Sequence, residues 1–148
     1  MNISIVVLPH AQDLPLPNYA SDGAAGMDVC AAVDQPMTLP AGKVVMVQTG
    51  LCVAIPRGYE MQVRSRSGLA AKQGVFALNS PGTIDSDYRG EIKVILANFS
   101  NEDVIIERGM RIAQLVVARH EHCTWNVVSE LGETQRGEGG FGSTGVHP

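Results

Sequence analysis

The apolar positions of this chain recur with a two-residue period in short bursts, the signature of half-buried strands rather than helices. Tyr59-Glu60-Met61-Gln62-Val63-Arg64 alternates cleanly and sets Tyr59, Met61 and Val63 on one face. Glu91–Ala97 alternates in the same way through Ile92, Val94 and Leu96. Ile3–Leu8, Met27–Ala32, Lys43–Gln48, Leu51–Ile55, Val104–Ile106, Ile112–Ala118 and Cys123–Val128 are apolar or β-branched runs bounded by turn residues, which brings the candidate strands to at least nine. Thr49-Gly50 separates two of them with a hairpin-like break, and Trp125 falls inside the last. Only Ser67–Gln73 is compatible with a helix, of at most two turns. Strands broken this often predict an all-β antiparallel sandwich or jelly roll, not βαβ units.

Composition sharpens this. A chain of 148 residues is one domain's worth. Sixteen glycines and eight prolines against seven aromatic residues veto long helices. Charged residues make up 18%, the net charge is −4 and the pI is near 5.5, which leaves no electrostatic footprint for nucleic acid. Cys30, Cys52 and Cys123 offer neither a CxxC pair nor an even disulfide framework, and so predict free thiols in a reducing compartment. The apolar start ends at Pro9 without a cationic flank, and no run approaches a membrane span, so the expectation is a cytoplasmic protein with no membrane partner. After Ser129 the character of the chain changes, and Glu133–Pro148 holds five glycines and almost nothing to bury. Residues 1–132 form the expected β-barrel domain, and 133–148 a glycine-rich C-terminal tail, flexible on composition.

Several clusters could carry chemistry. In Arg136-Gly137-Glu138-Gly139-Gly140-Phe141-Gly142-Ser143-Thr144-Gly145, glycine backbone can point successive N–H groups at phosphate, while Arg136 adds charge. The lysine of a P-loop is missing and no helix can follow. Phe141, a lone aromatic among glycines, suits a lid that stacks on a planar ligand. Arg64 and Arg66 share a strand face just before Ser67-Gly68, where a serine-capped helix start makes a phosphate seat. Asn79–Glu91 reads as a turn and hairpin carrying Asp85, Asp87 and Tyr88; one carboxylate could act as a base or bind a metal. Asp28 enters the core among small apolar residues and needs a partner, either an arginine or a metal-bound water. Gln114 interrupts an apolar strand and needs a hydrogen-bond partner. His120 and His122 lie on one strand face, but no third zinc ligand accompanies them.

Taken in order, these clusters resemble the five motifs of the trimeric dUTP pyrophosphatase (dUTPase) family: AGMD (Ala25–Asp28), RSGLA (Arg66–Ala70), GTIDSDYRGE (Gly82–Glu91), RGMRIAQL (Arg108–Leu115) and RGEGGFGSTG (Arg136–Gly145). Ser65 stands where many members have proline, and Met110 where an acidic residue is common. The resemblance implies a distorted jelly-roll β-barrel and a homotrimer with active sites at subunit junctions. It implies hydrolysis of dUTP to dUMP and pyrophosphate, which limits uracil incorporation into DNA and supplies dUMP for thymidylate synthesis. By similarity Asp85 is the general base that deprotonates water for attack on the α-phosphorus. Mg2+ rides on the triphosphate, with Asp28 touching it through water. Arg66, Ser67, Gly68 and Gln114 hold the phosphates, and Arg136, Gly142, Ser143 and Thr144 close over the far end. Asn79, Gly82, Thr83 and Ile84 meet the uracil and leave no room for a 5-methyl group. Tyr88 packs on the deoxyribose against a 2′-hydroxyl, and Phe141 stacks on the base.

Three other readings are weaker. A dCTP deaminase of the same fold needs a glutamate beside the base, and Arg64–Gln73 contains no acidic residue. A non-catalytic regulator built on the barrel is disfavoured by the presence of Asp85, Tyr88 and the tail. A carbohydrate-binding module predicts exposed Trp and Tyr, whereas the one Trp lies in an expected strand.

Overall fold

Short amphipathic segments have no stable existence alone, so the fold is decided by which of them find a partner edge. The computed structural model describes residues 1–140. Among them run the strands β1 (Ser4–Val7), β2 (Asn18–Tyr19), β3 (Met27–Cys30), β4 (Met37–Leu39), β5 (Val44–Gln48), β6 (Leu51–Ala54), β7 (Tyr59–Arg64), β8 (Val75–Ala77), β9 (Gly82–Ile84), β10 (Lys93–Asn98), β11 (Val104–Ile106) and β12 (Arg111–Arg119). One α-helix, α1 (Ser67–Gln73), follows β7, and a single 3-10 turn covers Pro9–Ala11. All the strand pairings are antiparallel. They make a five-stranded sheet ordered β2-β3-β12-β7-β9, a three-stranded sheet β5-β10-β8, and the pairs β1-β6 and β4-β11. The result is the predicted all-β, jelly-roll-like architecture.

The inward faces meet in one core. Met61 and Val63 of β7 and Val94 and Leu96 of β10 are buried, as their alternation requires, and pack with Leu39, Ile106, Ile112 and Leu115. Each such side chain is worth about 1.5–3 kcal/mol on burial. Two polar residues, Thr49 and Asn98, are built into this interior, and Thr49 donates its hydroxyl to the Ile92 carbonyl (2.7 Å). Asn98, 2% exposed, donates through Nδ2 to the carbonyls of Leu39 (3.1 Å) and Glu102 (2.8 Å). Its Oδ1 accepts from the backbone N–H and hydroxyl of Ser100 (2.9 and 2.8 Å). It thereby ties β10 to β4 and to the turn before β11.

Two expectations fail. Thr49-Gly50 is no hairpin: β5 pairs with β10 while β6 pairs with β1, so the break carries the chain from one sheet to another. Gly50 is required there, with φ of +68° and no space for a Cβ, which would stand 2.1 Å from the Cβ of Ala11. Cys123–Val128 is not a strand either. β12 already has β3 and β7 on its two sides, so the chain that leaves it cannot fold back alongside β12, and it pairs with neither edge strand of that sheet, β2 or β9. Trp125 and Val127 are 91% and 94% exposed as a consequence. The strands β2, β4, β8 and β9 are additions, each of two or three residues.

Replacing Asn98 by alanine leaves the buried Leu39 carbonyl without that donor and is expected to lower the unfolding free energy by about 1–3 kcal/mol. Urea melts of Asn98→Ala and the parent chain measure this; equal midpoints would contradict the role assigned to Asn98.

Candidate active site

The central sheet sets Asp28 and Gln114 at one end and carries the chain along β9 to Asp85 at the other. In β12, Gln114 stands opposite Asp28 of β3 on one side and Arg64 of β7 on the other. That register gathers Asp28, Gln114 and the β7–α1 junction at one end. Asp28, with its side chain 15% exposed, receives four hydrogen bonds. Arg66 Nε and Gln114 Nε2 donate to Oδ1 (3.0 and 3.2 Å), and Arg66 Nη2 and Arg111 Nη1 to Oδ2 (3.3 and 3.2 Å). Arg66 Nη1 also donates to the Arg111 carbonyl at 3.2 Å. The buried carboxylate is thus partnered by arginine, one of the two possibilities its sequence context left open, and Gln114 finds its partner in the same group. Two guanidiniums against one carboxylate leave one positive charge over, which suits an anion.

Arg66 and Arg111 line a cleft with Gly68, Leu69 and Lys72, so three cations face one space. Arg64 points elsewhere: its Nε and Nη2 donate to Gln62 Oε1 (2.9 and 2.6 Å), and it does not join Arg66. The expected serine cap is also absent. Arg66 occupies the cap position of α1 with no side-chain capping bond, and Ser67 and Gly68 form the exposed first turn. Ser65 carries more than its position suggested. Its N–H donates to Ser80 Oγ (3.1 Å) and its Oγ accepts from Ala77 N (3.0 Å), fastening the start of α1 to the loop that holds Asn79.

From Gly82, opposite Val63 near that same end, β9 runs antiparallel to β7 to Ile84, opposite Met61, and so leads away toward the other end. Asp85 follows, exposed, in a turn where its carbonyl accepts from Tyr88 N–H (3.1 Å). Arg89 Nη1 closes the turn by donating to the carbonyls of Ser86 (2.7 Å) and Tyr88 (2.8 Å). Tyr88 donates its hydroxyl proton to the Glu91 carbonyl at 3.0 Å. Thr83, Ile84, Asp85, Tyr88 and Glu91 line a cleft of about 400 Å³. Asp85 also borders a neighbouring cleft with Asp87, Arg57, Arg89, His120 and His122. The two imidazoles lie with centroids 4.9 Å apart. No group of three or more His, Cys, Asp or Glu able to hold a metal ion occurs among the described residues.

Three motif glycines make room for site side chains. A Cβ on Gly82 would stand 3.0 Å from Asn79 Nδ2, one on Gly90 would stand 2.4 Å from the Tyr88 hydroxyl, and one on Gly26 would stand 3.3 Å from the Gln114 Cβ. Arg136 makes a local hydrogen bond to the Gly139 carbonyl (2.7 Å). Phe141, Gly142, Ser143 and Thr144 lie outside the described residues.

The family model described as dUTPase matches residues 12–145. The chain belongs to the dUTPase family. It is 56% identical over 131 residues to the deoxyuridine 5'-triphosphate nucleotidohydrolase of Rickettsia felis, covering 88% of each chain. The protein of that name from Rickettsia akari is 51% identical over 148 residues, 99% of this chain and 100% of the relative. A Staphylococcus bacteriophage 80alpha dUTPase solved with dUPNHPP superposes with a TM-score of 0.83 at 26% identity, covering 98% of this chain and 99% of that one. A mutant dUTPase from phage phi11 of S. aureus, described as revealing the coordination of a structural Mg(II) ion, superposes at 0.77 with 20% identity over 90% of this chain and 100% of that one.

Against the dUTPase motifs, sequence reading missed Arg111, Lys72 and the Ser65–Ser80 contact. Arg111 and Lys72 were legible only as charges on a strand and a helix; the register of β3 on β12 brings Arg111 to Asp28. Cys30, two residues beyond Asp28, has its thiol pushed up mainly by burial. The thiolate is therefore scarce at neutral pH. Iodoacetamide at pH 7.5 should label Cys30 at least about tenfold more slowly than free cysteine, with the rate climbing as pH is raised; peptide mapping that found it labelled as fast as free cysteine would contradict this.

Proposed function

We propose that this chain hydrolyses Mg2+–dUTP to dUMP and pyrophosphate in a homotrimer, at sites built from more than one subunit. The observation that carries the activity is the match to the dUTPase family over residues 12–145, which takes in all five motifs. The observation behind the shared site is the sheet register. Asp85 follows Ile84, which faces Met61, so Asp85 lies level with Glu60. Arg66 is six residues further along, about 20 Å away at the rise of a β-strand. A general base acts within about 3–3.5 Å of the reacting atoms, and the residues that hold the phosphates must touch the same triphosphate. Asp85 of one subunit therefore works with Asp28, Arg66 and Gln114 of another. The exposed apolar side chains of Trp125, Val127 and Leu131 support association, because water is a poor place for them.

In this reading Arg66, Ser67, Gly68 and Gln114, with Arg111 and Lys72 beside them, bind and orient the triphosphate. Asp28 holds Arg66 and Gln114 in place. Asp28 accepts four hydrogen bonds from nitrogen, about the full acceptor capacity of a carboxylate, so its contact with Mg2+ through water would need one of those donors, such as Arg111, to turn to the phosphates. The ion enters with the substrate and offsets phosphate charge. Asp85, exposed in its turn, takes the proton of a water aligned with the α-phosphorus, and positioning does most of the catalytic work. Asn79, Gly82, Thr83 and Ile84 meet the uracil, where rigid backbone leaves no volume for a 5-methyl group. Tyr88 stands where a 2′-hydroxyl would go. Residues 133–148 form the lid, with Arg136, Gly142, Ser143 and Thr144 on the phosphates and Phe141 on the base. Acting in the cytoplasm, the enzyme would keep uracil out of DNA and supply dUMP for thymidylate.

Pyrophosphate release should be rapid from dUTP and scarce from dCTP, dTTP and UTP, and Asp85→Asn should lower kcat by about 10²–10⁴-fold with dUTP still bound. Equal turnover of the four nucleotides, or ammonia from dCTP, would overturn the assignment. Removing Glu133–Pro148 should leave a folded assembly by circular dichroism and gel filtration but abolish most turnover; full activity in the shortened chain would rule out the lid.

A further inference from the structure

A side chain that lies outside the residues matched by the family model reaches the third motif. His10, in the 3-10 turn Pro9–Ala11, places Nε2 3.0 Å from Glu91 Oε1, and the Glu91 side chain is only 11% exposed. The same carboxylate accepts from Gly50 N–H at Oε1 (2.8 Å) and from Gln48 Nε2 at Oε2 (3.2 Å). The backbone carbonyl of this residue is the acceptor of the Tyr88 hydroxyl. Glu91 also borders the cleft that holds Tyr88, Thr83 and Asp85.

The His10 end of this chain of contacts is itself fixed. Arg108, in the fourth motif, donates through Nη2 to the His10 carbonyl (2.7 Å) and through Nη1 to that of Val33 (3.1 Å), and forms an ion pair with Asp13. Leu8 N–H donates to the Gly50 carbonyl (2.8 Å), and Ala11 packs where a Gly50 side chain would be. His10 is thus held from behind by one motif while its ring grips a residue of another. A carboxylate held by the Gly50 N–H and the anchored His10 ring cannot turn without losing charge-assisted hydrogen bonds, which restrains its own backbone carbonyl as well.

We infer that His10 is a positioning residue for nucleotide selection, acting through the Glu91 carboxylate to set the Tyr88 ring. The inference rests on the reading of Tyr88 as the group that excludes the 2′-hydroxyl. Its signature is a loss of sugar discrimination, which a purely stabilising role for His10 would not produce. Gln at position 10 can place its amide nitrogen near the site of Nε2, whereas Ala cannot.

The experiment compares kcat/KM for dUTP and UTP, by pyrophosphate release, in the full-length parent chain, His10→Ala, His10→Gln and Tyr88→Ala. His10→Ala should lose about tenfold of the preference for dUTP, the scale of one charge-assisted hydrogen bond, and His10→Gln should keep it within about twofold. If His10→Ala does not fold, His10→Asn, which puts no donor at the Nε2 position, should show the same loss. An unchanged preference in His10→Ala or His10→Asn, or an equal loss in His10→Gln, overturns the inference while Tyr88→Ala still tests Tyr88 by itself. A Tyr88→Ala chain that keeps the full preference for dUTP overturns both.

Discussion

Everything in the site depends on the register of β7 between β12 and β9. Antiparallel pairing on both sides fixes which residues are level with one another, and a slip of one position would turn each side chain to the opposite face. With Gln114 opposite Arg64 and Ile84 opposite Met61, the anion-binding end and the Asp85 end of the sheet are held apart by the length of the strand. The spacing is therefore a property of the backbone, and side-chain rearrangement does not remove it. That separation is what the proposed sharing of the site between subunits rests on.

The half of the site proposed to bind phosphate is organised around a carboxylate that bears the wrong sign for it. Asp28 is mostly buried and takes all four of its hydrogen bonds from Arg66, Arg111 and Gln114. Without it two guanidiniums would repel at close range; with it they are ordered and still leave a positive charge over. The other half is organised by absent side chains. Gly82 and Gly90 leave the volume that Asn79 and Tyr88 occupy, so the glycines of that motif shape the pocket more than they flex it.

The long alternating runs were legible because a period needs several residues to be seen. β7 and β10, of six residues each, and the seven-residue α1 stand where the pattern put them. β2, β4, β8 and β9 have two or three residues, too few for any period, and exist because a neighbour offers an edge. Cys123–Val128 shows the converse, with strand composition and no pairing partner, because both sides of β12 are already taken. The site residues were legible as types, since a buried aspartate and an intra-strand glutamine both demand partners. Which partners they find was not, because Asp28 and Arg111 lie 83 positions apart and meet only through strand register. His10 and Ser65 were invisible for the same reason.

Under the proposed function Asp85 of one chain acts on a phosphate held by Arg66 of another, and mixing two inactive chains tests this. Asp85→Asn and Arg66→Ala chains, each inactive alone, are unfolded together, refolded as an equal mixture and assayed for pyrophosphate release from dUTP. If the site is shared, random assembly pairs an intact Asp85 with an intact Arg66 at roughly a quarter of the sites, and the mixture recovers about that fraction of parent activity. A mixture no more active than its two components would mean that one chain holds the whole site, and would contradict this account.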